Sequence, residues 1–129
     1  DVDAMPDMPQ HPRIKYLMGS STSDEILASV KEMIKDKKRV MVILDSDHTC
    51  DHVYRELELY HGFVTPGQYL VVEDSNINGH PVYSGFGQGP GPMEAMEKFL
   101  PAHPEFETDS SREKFFMSFN PKGYLKKIK

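Results

Sequence analysis

The sequence feature that most constrains the fold is a short apolar run that ends in acids. The run Val40–Leu44 leads without a break into Asp45-Ser46-Asp47-His48. An unbroken apolar run rich in β-branched residues predicts a strand that is buried on both faces, as in parallel sheets. Such a strand delivers the residues after it to the carboxyl edge of the sheet, where open α/β folds bind ligands.

A second run repeats this arrangement, because Gln68–Val72 is followed by Glu73 and Asp74. If the two strands are parallel neighbours, Asp45, Asp47 and this acidic pair meet at one edge of the sheet. Crowded carboxylates repel one another unless a cation lies among them, and all-oxygen ligands suit Mg²⁺ or Ca²⁺. The sequence therefore predicts a divalent-cation site at this edge.

Length and charge exclude several classes of protein. The chain has 129 residues, which is enough for one domain with a buried core. It carries 15 basic and 20 acidic residues, and this acidic balance argues against a nucleic-acid-binding surface. Its single cysteine, Cys50, excludes an internal disulfide and suits a reducing compartment. We see no signal peptide and no apolar run of membrane-spanning length, so we expect a cytoplasmic protein without a membrane partner.

The order of elements along the chain predicts an α/β sheet. Apolar spacing predicts helices over Ser23–Lys38, over Cys50–Tyr60 and from Pro92 onward. Strands are predicted at Arg13–Gly19, Arg39–Leu44, Gln68–Val72, Phe106–Asp109 and Lys114–Phe119. Residues 1–12 are predicted to form an extended arm, and residues 76–92 a long loop rich in glycine and proline. Asn120–Gly123 is predicted to form a turn. Alternating strands and helices indicate a mostly parallel sheet, and the closing strand pair indicates an antiparallel edge.

Several longer stretches carry a resemblance to a known family. They are Ile43–His48, Tyr69–Pro81, Gly89–Ala95, Ser111–Phe115 and Phe119–Leu125. In these stretches the chain resembles the cephalosporin hydroxylase family, which groups with rhamnosyl O-methyltransferases. The resemblance implies the Rossmann-like class I fold of S-adenosylmethionine-dependent methyltransferases. That fold is a three-layer α/β/α arrangement with strand order 3-2-1-4-5-7-6 and an antiparallel strand 7.

One part of the family pattern has no match in the chain. The family's first strand, with the glycine-rich turn that cradles the methionine part of the cofactor, has no counterpart before Arg13. The glycines of Gly85–Gly89 come after the fifth strand instead. Residues 13–129 therefore resemble the C-terminal part of a methyltransferase domain that is N-terminally incomplete.

The resemblance also implies which residues contact S-adenosylmethionine. Asp3, at the end of the family's second strand, corresponds to the acid that holds the cofactor ribose. Gly19, Ser20 and Ser21 lie where the family approaches the adenine end, and Asp45 lies at the same sheet edge. Without a cofactor, the hydroxyls after Gly19 would serve to cap the following helix.

Related metal-dependent O-methyltransferases place one Asp after strand 4 and an acidic or amide pair after strand 5. The resemblance therefore implies that Asp45, Glu73 and Asp74 hold Mg²⁺ or another divalent cation. Such a cation acts as a Lewis acid and eases deprotonation of an acceptor hydroxyl near neutral pH. The expected acceptor is a hydroxyl of a small molecule or a sugar. The simpler alternative is that acids such as Asp47 and Asp51 cap the helix that begins at Cys50.

Three histidines are candidates for proton transfer or substrate contact. His48 adjoins the acidic edge, and we expect it, with Asp47, to be catalytic. His52 is four residues further on, so the two rings could share a helix face or simply form a polar surface pair. His80 could close over the site from the glycine-rich loop or be an exposed loop histidine.

Two alternatives to methyl transfer remain open from the sequence, an Asp-x-Asp metal-dependent enzyme and a protein that is not an enzyme. The spacing Asp45-x-Asp47-x-Thr49 is typical of phosphohydrolases with an aspartate nucleophile, and Asp-x-Asp marks the metal site of many nucleotide-sugar glycosyltransferases. The phosphohydrolase hypothesis also needs a hydroxyl and a lysine, for which Ser84 and Lys98 are poor substitutes. The second alternative is a non-catalytic methyltransferase fragment.

The absent first strand leaves an edge to fill. Without it, the strand Val40–Leu44 has an unpaired backbone edge, and such edges attract further strands. We expect Arg13–Met18 to pair with it, or a second copy of the chain to do so and form a homo-oligomer.

Overall fold

The computed structural model describes residues 7–78, 80, 89–114 and 118–129. Helices α1, α2 and α3 span Asp24–Ile34, Cys50–Tyr60 and Pro92–Phe99. Strands β1, β2, β3 and β4 span Val42–Leu44, Tyr69–Val72, Phe106–Thr108 and Tyr124–Lys127. Short 3₁₀ turns follow α2, α3 and β3 at His61–Phe63, Leu100–Ala102 and Ser110–Arg112. The predicted helix Cys50–Tyr60 is confirmed at both ends, and α1 ends four residues before the predicted Lys38.

The described strands form one mixed sheet in the order β1-β2-β4-β3. Strands β1 and β2 are parallel, and Leu44 lies opposite Val72 in their register. Strand β4 runs antiparallel to both β2 and β3. The order corresponds to the 4-5-7-6 part of the strand order that the family resemblance implies. The predicted mixed α/β sheet with an antiparallel edge is confirmed.

The core lies between the sheet and the helix pair α2 and α3. Leu70 of β2 and Leu125 of β4 are fully buried, as are Leu57 of α2 and Phe99 of α3. Burial of one such side chain contributes about 1.5–3 kcal/mol, so these four positions do much to fix the helices on the sheet. Helix α1 has no fully buried residue and touches this core only through its partly buried side chains.

The predicted strand Arg13–Gly19 is wrong. In this segment Ile14 donates a backbone hydrogen bond to His11 in a turn, and the Tyr16 hydroxyl donates to the Pro9 carbonyl. Alternation of apolar residues favours a strand only when one face can be buried, and here Ile14, Tyr16 and Met18 are all exposed. Strand β1 therefore pairs with β2 alone within the described residues, and pairing with a second copy stays a prediction.

The closing strand also differs from its prediction. Residues 115–117, the centre of the predicted strand Lys114–Phe119, lie outside the described residues, and Ser118 and Phe119 are not in a strand. The partner of β3 is β4 instead, with Thr108 opposite Leu125. The turn Asn120–Gly123 precedes β4, as the sequence predicted. Among the described residues, no helix is long and apolar enough to cross a membrane.

Candidate active site

Two strand ends bring three chemically active side chains together. Asp45 follows β1 directly, and Glu73 and Asp74 follow β2. Because β1 and β2 are parallel and in register, these residues leave the sheet side by side. Each of Asp45, His48 and Asp74 offers a ligand atom, and the three atoms lie within 4.8 Å of one another. The residues that could share one ligand here are therefore two acids and a histidine, with Glu73 beside them.

His48 is placed between the two aspartates. Its Nε2 atom lies 3.6 Å from Asp45 Oδ1 and 3.3 Å from Asp74 Oδ2. The atom is buried, yet it forms no hydrogen bond with correct geometry to any described residue. A buried polar atom without a partner costs about 1–3 kcal/mol, so this nitrogen is available to a cation or a substrate.

The charge at this edge shifts the ionisation of Glu73. Partial burial raises its pKa, and the neighbouring carboxylates of Asp45 and Asp74 raise it further, against the opposing effect of His48. Glu73 is therefore within electrostatic reach of the cluster. A divalent cation would relieve this repulsion.

The backbone at Asp74 is held in a conformation that non-glycine residues rarely adopt, with φ at 52°. Its N–H donates to the side-chain oxygen of Asn120 at 2.9 Å, and Asn120 itself is buried. The next residue, Ser75, donates its hydroxyl to the Pro121 carbonyl at 2.7 Å. The turn before β4 thus fixes the direction of the acidic pair. Sequence reasoning identified this turn but not its contact with the site.

A cleft of about 670 Å³ lies beside the acidic cluster. Its lining residues are Gly19, Ser20, Ser21, Asp45, Ser46, Asp47 and His52. Five of these are residues that the sequence predicted to bind the cofactor or to be catalytic. The volume lies within the range of small-molecule sites, about 300–1,000 Å³.

Helix α2 fixes the serine segment of this cleft. The Tyr60 hydroxyl donates to the Ser21 carbonyl at 2.7 Å, and Ser21 Oγ lies 3.3 Å from His52 Nε2. The backbone that was predicted to approach the cofactor is therefore attached to a core helix. His52 lines the cleft and is only partly exposed, so it does not form a simple surface pair with His48.

Sequence reasoning missed the buried glutamate next to the cleft. Glu56 is 2% exposed, and its Oε1 accepts a hydrogen bond from the Ser46 hydroxyl at 2.8 Å. The same oxygen lies 3.5 Å from His52 Nε2. No local pattern separates Glu56 from the exposed acids of α2, because only the packing of the helix on the sheet buries it.

Asp47 is placed to begin α2. Its Oδ1 accepts the backbone N–H of Thr49 at 2.9 Å, one residue before the helix begins at Cys50. Hydrogen bonds from the backbone and side chain of Thr49 lower the pKa of Asp47, so the carboxylate is held ionised. This bond closes a local turn just before the helix, whose N-cap residue is Thr49 and makes no side-chain cap bond. A catalytic role for Asp47 stays a prediction.

His80 is held against the first turn of α3. Its Nε2 lies 2.6 Å from Glu94 Oε1, and the second oxygen of Glu94 accepts the Gly91 N–H at 2.6 Å. Asp3 and Ser84 lie outside the described residues. Lys98 stacks its ammonium over the Tyr54 ring at 3.8 Å, so its placement gives no support to the phosphohydrolase hypothesis.

A parallel strand pair with acids at its carboxyl edge, beside a cleft, places this chain among the α/β proteins, whose open sheets have their ligand sites at the carboxyl ends of the strands. The chain belongs to the rhamnosyl O-methyltransferase/CmcI family, whose model matches residues 1–128.

Curated relatives agree with this family. Rhamnosyl O-methyltransferases of Mycobacterium bovis and Mycobacterium tuberculosis are each 40% identical over 119 residues, which is 90% of this chain and 48% of theirs. The Mycobacterium leprae protein of that name is 39% identical over 119 residues, which is 90% of this chain and 51% of its own. The chain thus spans about half the length of the curated relatives that it matches. No solved structure matches it significantly.

Proposed function

We propose that this chain carries the acceptor-side half of an S-adenosylmethionine-dependent O-methyltransferase that acts on a sugar hydroxyl, with rhamnose as the first candidate. The observation that carries the proposal is the cluster of Asp45, His48 and Asp74 beside the serine-lined cleft. Family membership and the names of the mycobacterial relatives support the reaction class and the sugar. We propose the Rossmann-like three-layer arrangement for the intact domain on the strand order β1-β2-β4-β3.

The residues at the acidic edge fit a divalent cation. Asp45 and Asp74 present carboxylates within one coordination shell, and Glu73 stands next to them with a pKa that burial and their charges raise. Oxygen ligands of this kind suit Mg²⁺. Asp45, Glu73 and Asp74 would hold the ion, and Asn120 would keep Asp74 directed towards it.

The polar groups that line the cleft suit the cofactor. Gly19, Ser20 and Ser21 offer backbone and hydroxyl groups that suit the polar adenosine end. When bound, S-adenosylmethionine would supply a methyl group for the acceptor oxygen, and a cation held by Asp45, Glu73 and Asp74 would act as a Lewis acid that eases loss of the proton from that oxygen. His48 would accept this proton at Nε2, which lies 3.6 Å from Asp45 Oδ1 and 3.3 Å from Asp74 Oδ2.

The test separates the roles of the acid and the histidine. Asp45→Asn should abolish Mg²⁺ binding in a calorimetric titration and with it methyl transfer from labelled S-adenosylmethionine to a rhamnosyl glycoside. His48→Gln should keep Mg²⁺ binding and slow the transfer about a hundredfold or more, since general-base catalysis contributes that much. Asp36→Asn, the same change at an exposed acid, is the control and should alter neither.

Two results would contradict the proposal in different ways. Transfer that continues in excess chelator would remove the cation from the reaction. No heat of binding with millimolar S-adenosylmethionine would favour the alternative of a non-catalytic fragment.

A further inference from the structure

A second cluster of ionisable side chains lies at the other end of α2. Glu58 is in the last turn of this helix, and His61 follows it. His103 and Glu105 lie in the segment between α3 and β3. Since α2 has 11 residues, it places this cluster about 16 Å from the helix start beside Asp47. The two clusters are therefore separate sites.

Three side chains of this second cluster lie close enough together to share one metal ion. Glu58, His61 and His103 each offer one ligand atom, and these three atoms lie within 4.8 Å of one another. Glu58 Oε1 and His103 Nε2 are 3.3 Å apart. Zinc bonds of about 2.1 Å at tetrahedral angles place neighbouring ligand atoms roughly 3.4 Å apart, close to this spacing.

His103 has more acceptors around it than a neutral ring can serve. Its Nδ1 lies 3.0 Å from Glu105 Oε1, while its Nε2 faces Glu58. A neutral imidazole carries one N–H and can donate to only one of these carboxylates. If Nδ1 donates to Glu105, Nε2 presents a lone pair towards Glu58, and a cation between the two satisfies both.

The ring of His103 is fixed in this orientation. It stacks on the buried ring of Phe99 with centroids 3.9 Å apart and an interplanar angle of 14°. Metal-binding histidines commonly donate their second ring N–H to a carboxylate, and Glu105 is placed to accept from Nδ1 of His103. This bond keeps the proton on Nδ1 and leaves Nε2 free to bind a metal.

His61 completes the group. Its Nδ1 is buried and has no hydrogen-bond partner among the described residues, although Glu105 Oε1 is 3.4 Å away. The side chain of Glu58 is about one-third exposed, so solvent reaches this side of the cluster.

We propose that Glu58, His61 and His103 form a second metal site, selective for Zn²⁺ or a similar transition metal, with Glu105 orienting His103. Two imidazoles and one carboxylate are a ligand set that zinc takes with water in the fourth position. Mg²⁺ prefers oxygen ligands, so the ion expected at Asp45 and Asp74 does not compete for this site. The bound ion ties the end of α2 to the segment before β3.

The experiment uses Co²⁺, which reports tetrahedral nitrogen and oxygen ligands by its visible absorption. The metal-free chain carries Asp45→Asn, so that the edge cluster does not contribute. We expect one equivalent of Co²⁺ to give the tetrahedral spectrum, Zn²⁺ to displace it, and Zn²⁺ to raise the unfolding temperature.

Three variants assign the signal to the proposed residues. Glu58→Gln and His103→Gln should abolish the spectrum, and Glu105→Gln should weaken Co²⁺ binding by about tenfold to a hundredfold. Glu107→Gln, at an exposed glutamate of β3, should change nothing. Glu58 is partly exposed, so its variant decides the outcome if His103→Gln does not fold.

Two outcomes would overturn the site. No spectrum and no rise in unfolding temperature with millimolar metal would show that the cluster is an ion-pair network only. A spectrum that survives both Glu58→Gln and His103→Gln would place the ion elsewhere.

Discussion

Carboxylates at the acidic edge repel one another, and a bound cation would reduce this repulsion. Glu73 is the clearest case, because burial and two carboxylate neighbours raise its pKa from an ordinary value of 4.5. Asp74 adds backbone strain, held by the hydrogen bond to Asn120. Strain that the surrounding structure maintains is common at functional sites.

The raised pKa of Glu73 predicts how stability depends on pH. A group that holds its proton more tightly when folded lowers the free energy of unfolding as pH rises through its range. Metal-free Glu73→Gln should therefore be more stable than the parent at pH 7, and the difference should vanish as pH falls below 4.5, the ordinary value. Urea unfolding at several pH values measures this.

Saturating Mg²⁺ should remove the stability advantage of Glu73→Gln over the parent at pH 7. The parent should gain more stability from saturating Mg²⁺ than the variant does, because the ion removes the repulsion. Glu107→Gln, at an exposed position, is the control and should show neither effect. A Glu73→Gln variant that is less stable than the parent at pH 7 without metal would contradict this account.

At the scale of elements, the turn Asn120–Gly123 joins the sheet to the site. The Val72 N–H donates to the Gly123 carbonyl at 2.8 Å, and the Gly123 N–H donates to the Asn120 carbonyl at 2.9 Å. A Cβ atom at Gly123 would lie 2.2 Å from the Val72 carbonyl oxygen. The turn can approach β2 this closely only because residue 123 has no side chain.

Gly123→Ala should therefore destabilise the protein by about 1–3 kcal/mol, the usual cost of forcing extra atoms into a packed region. The clashing atom belongs to the backbone of β2, so it cannot move aside as a side chain can. Gly62→Ala is the matched control, since a Cβ there meets no atom within 4 Å. Equal urea midpoints for the two variants would show that the turn is not packed as described.

At the scale of the whole molecule, the sheet has two edge strands in the described residues, β1 and β3. Strand β1 pairs with β2 on one side, and its central residue, Ile43, is 54% exposed. Unpaired strand edges with apolar side chains attract further strands. Because Ile43 is exposed and apolar, β1 is the edge where we expect pairing beyond the described sheet.

We predict that the 129-residue chain alone self-associates through β1. Ile43→Lys should reduce association in sedimentation velocity, because a charge on an edge strand opposes pairing with a second strand. Ile128→Lys is the control, since Ile128 is also exposed, at 43%, but follows β4. A monomeric parent chain, or equal effects of both variants, would contradict pairing through β1.

Local sequence determined the elements whose pattern is strong within a few residues. Helix α2 and strand β2 followed from apolar spacing and turn residues, and the acids at the strand ends followed from those two runs. Their meeting at one edge was predictable, because parallel neighbours end at the same side of a sheet. The sequence of Arg13–Gly19 was misleading, since alternation alone does not supply a partner strand or a buried face.

Only the tertiary structure decided which distant residues meet. Glu56 is buried by the packing of its helix, Asn120 reaches Asp74 across 46 positions, and His103 reaches Glu58 across 45. These contacts depend on the order of strands and the directions of helices, which no short window of sequence encodes. The acids at the strand ends could thus be predicted from the sequence. The contacts that orient them, and the second histidine cluster, form only when the sheet and helices are assembled.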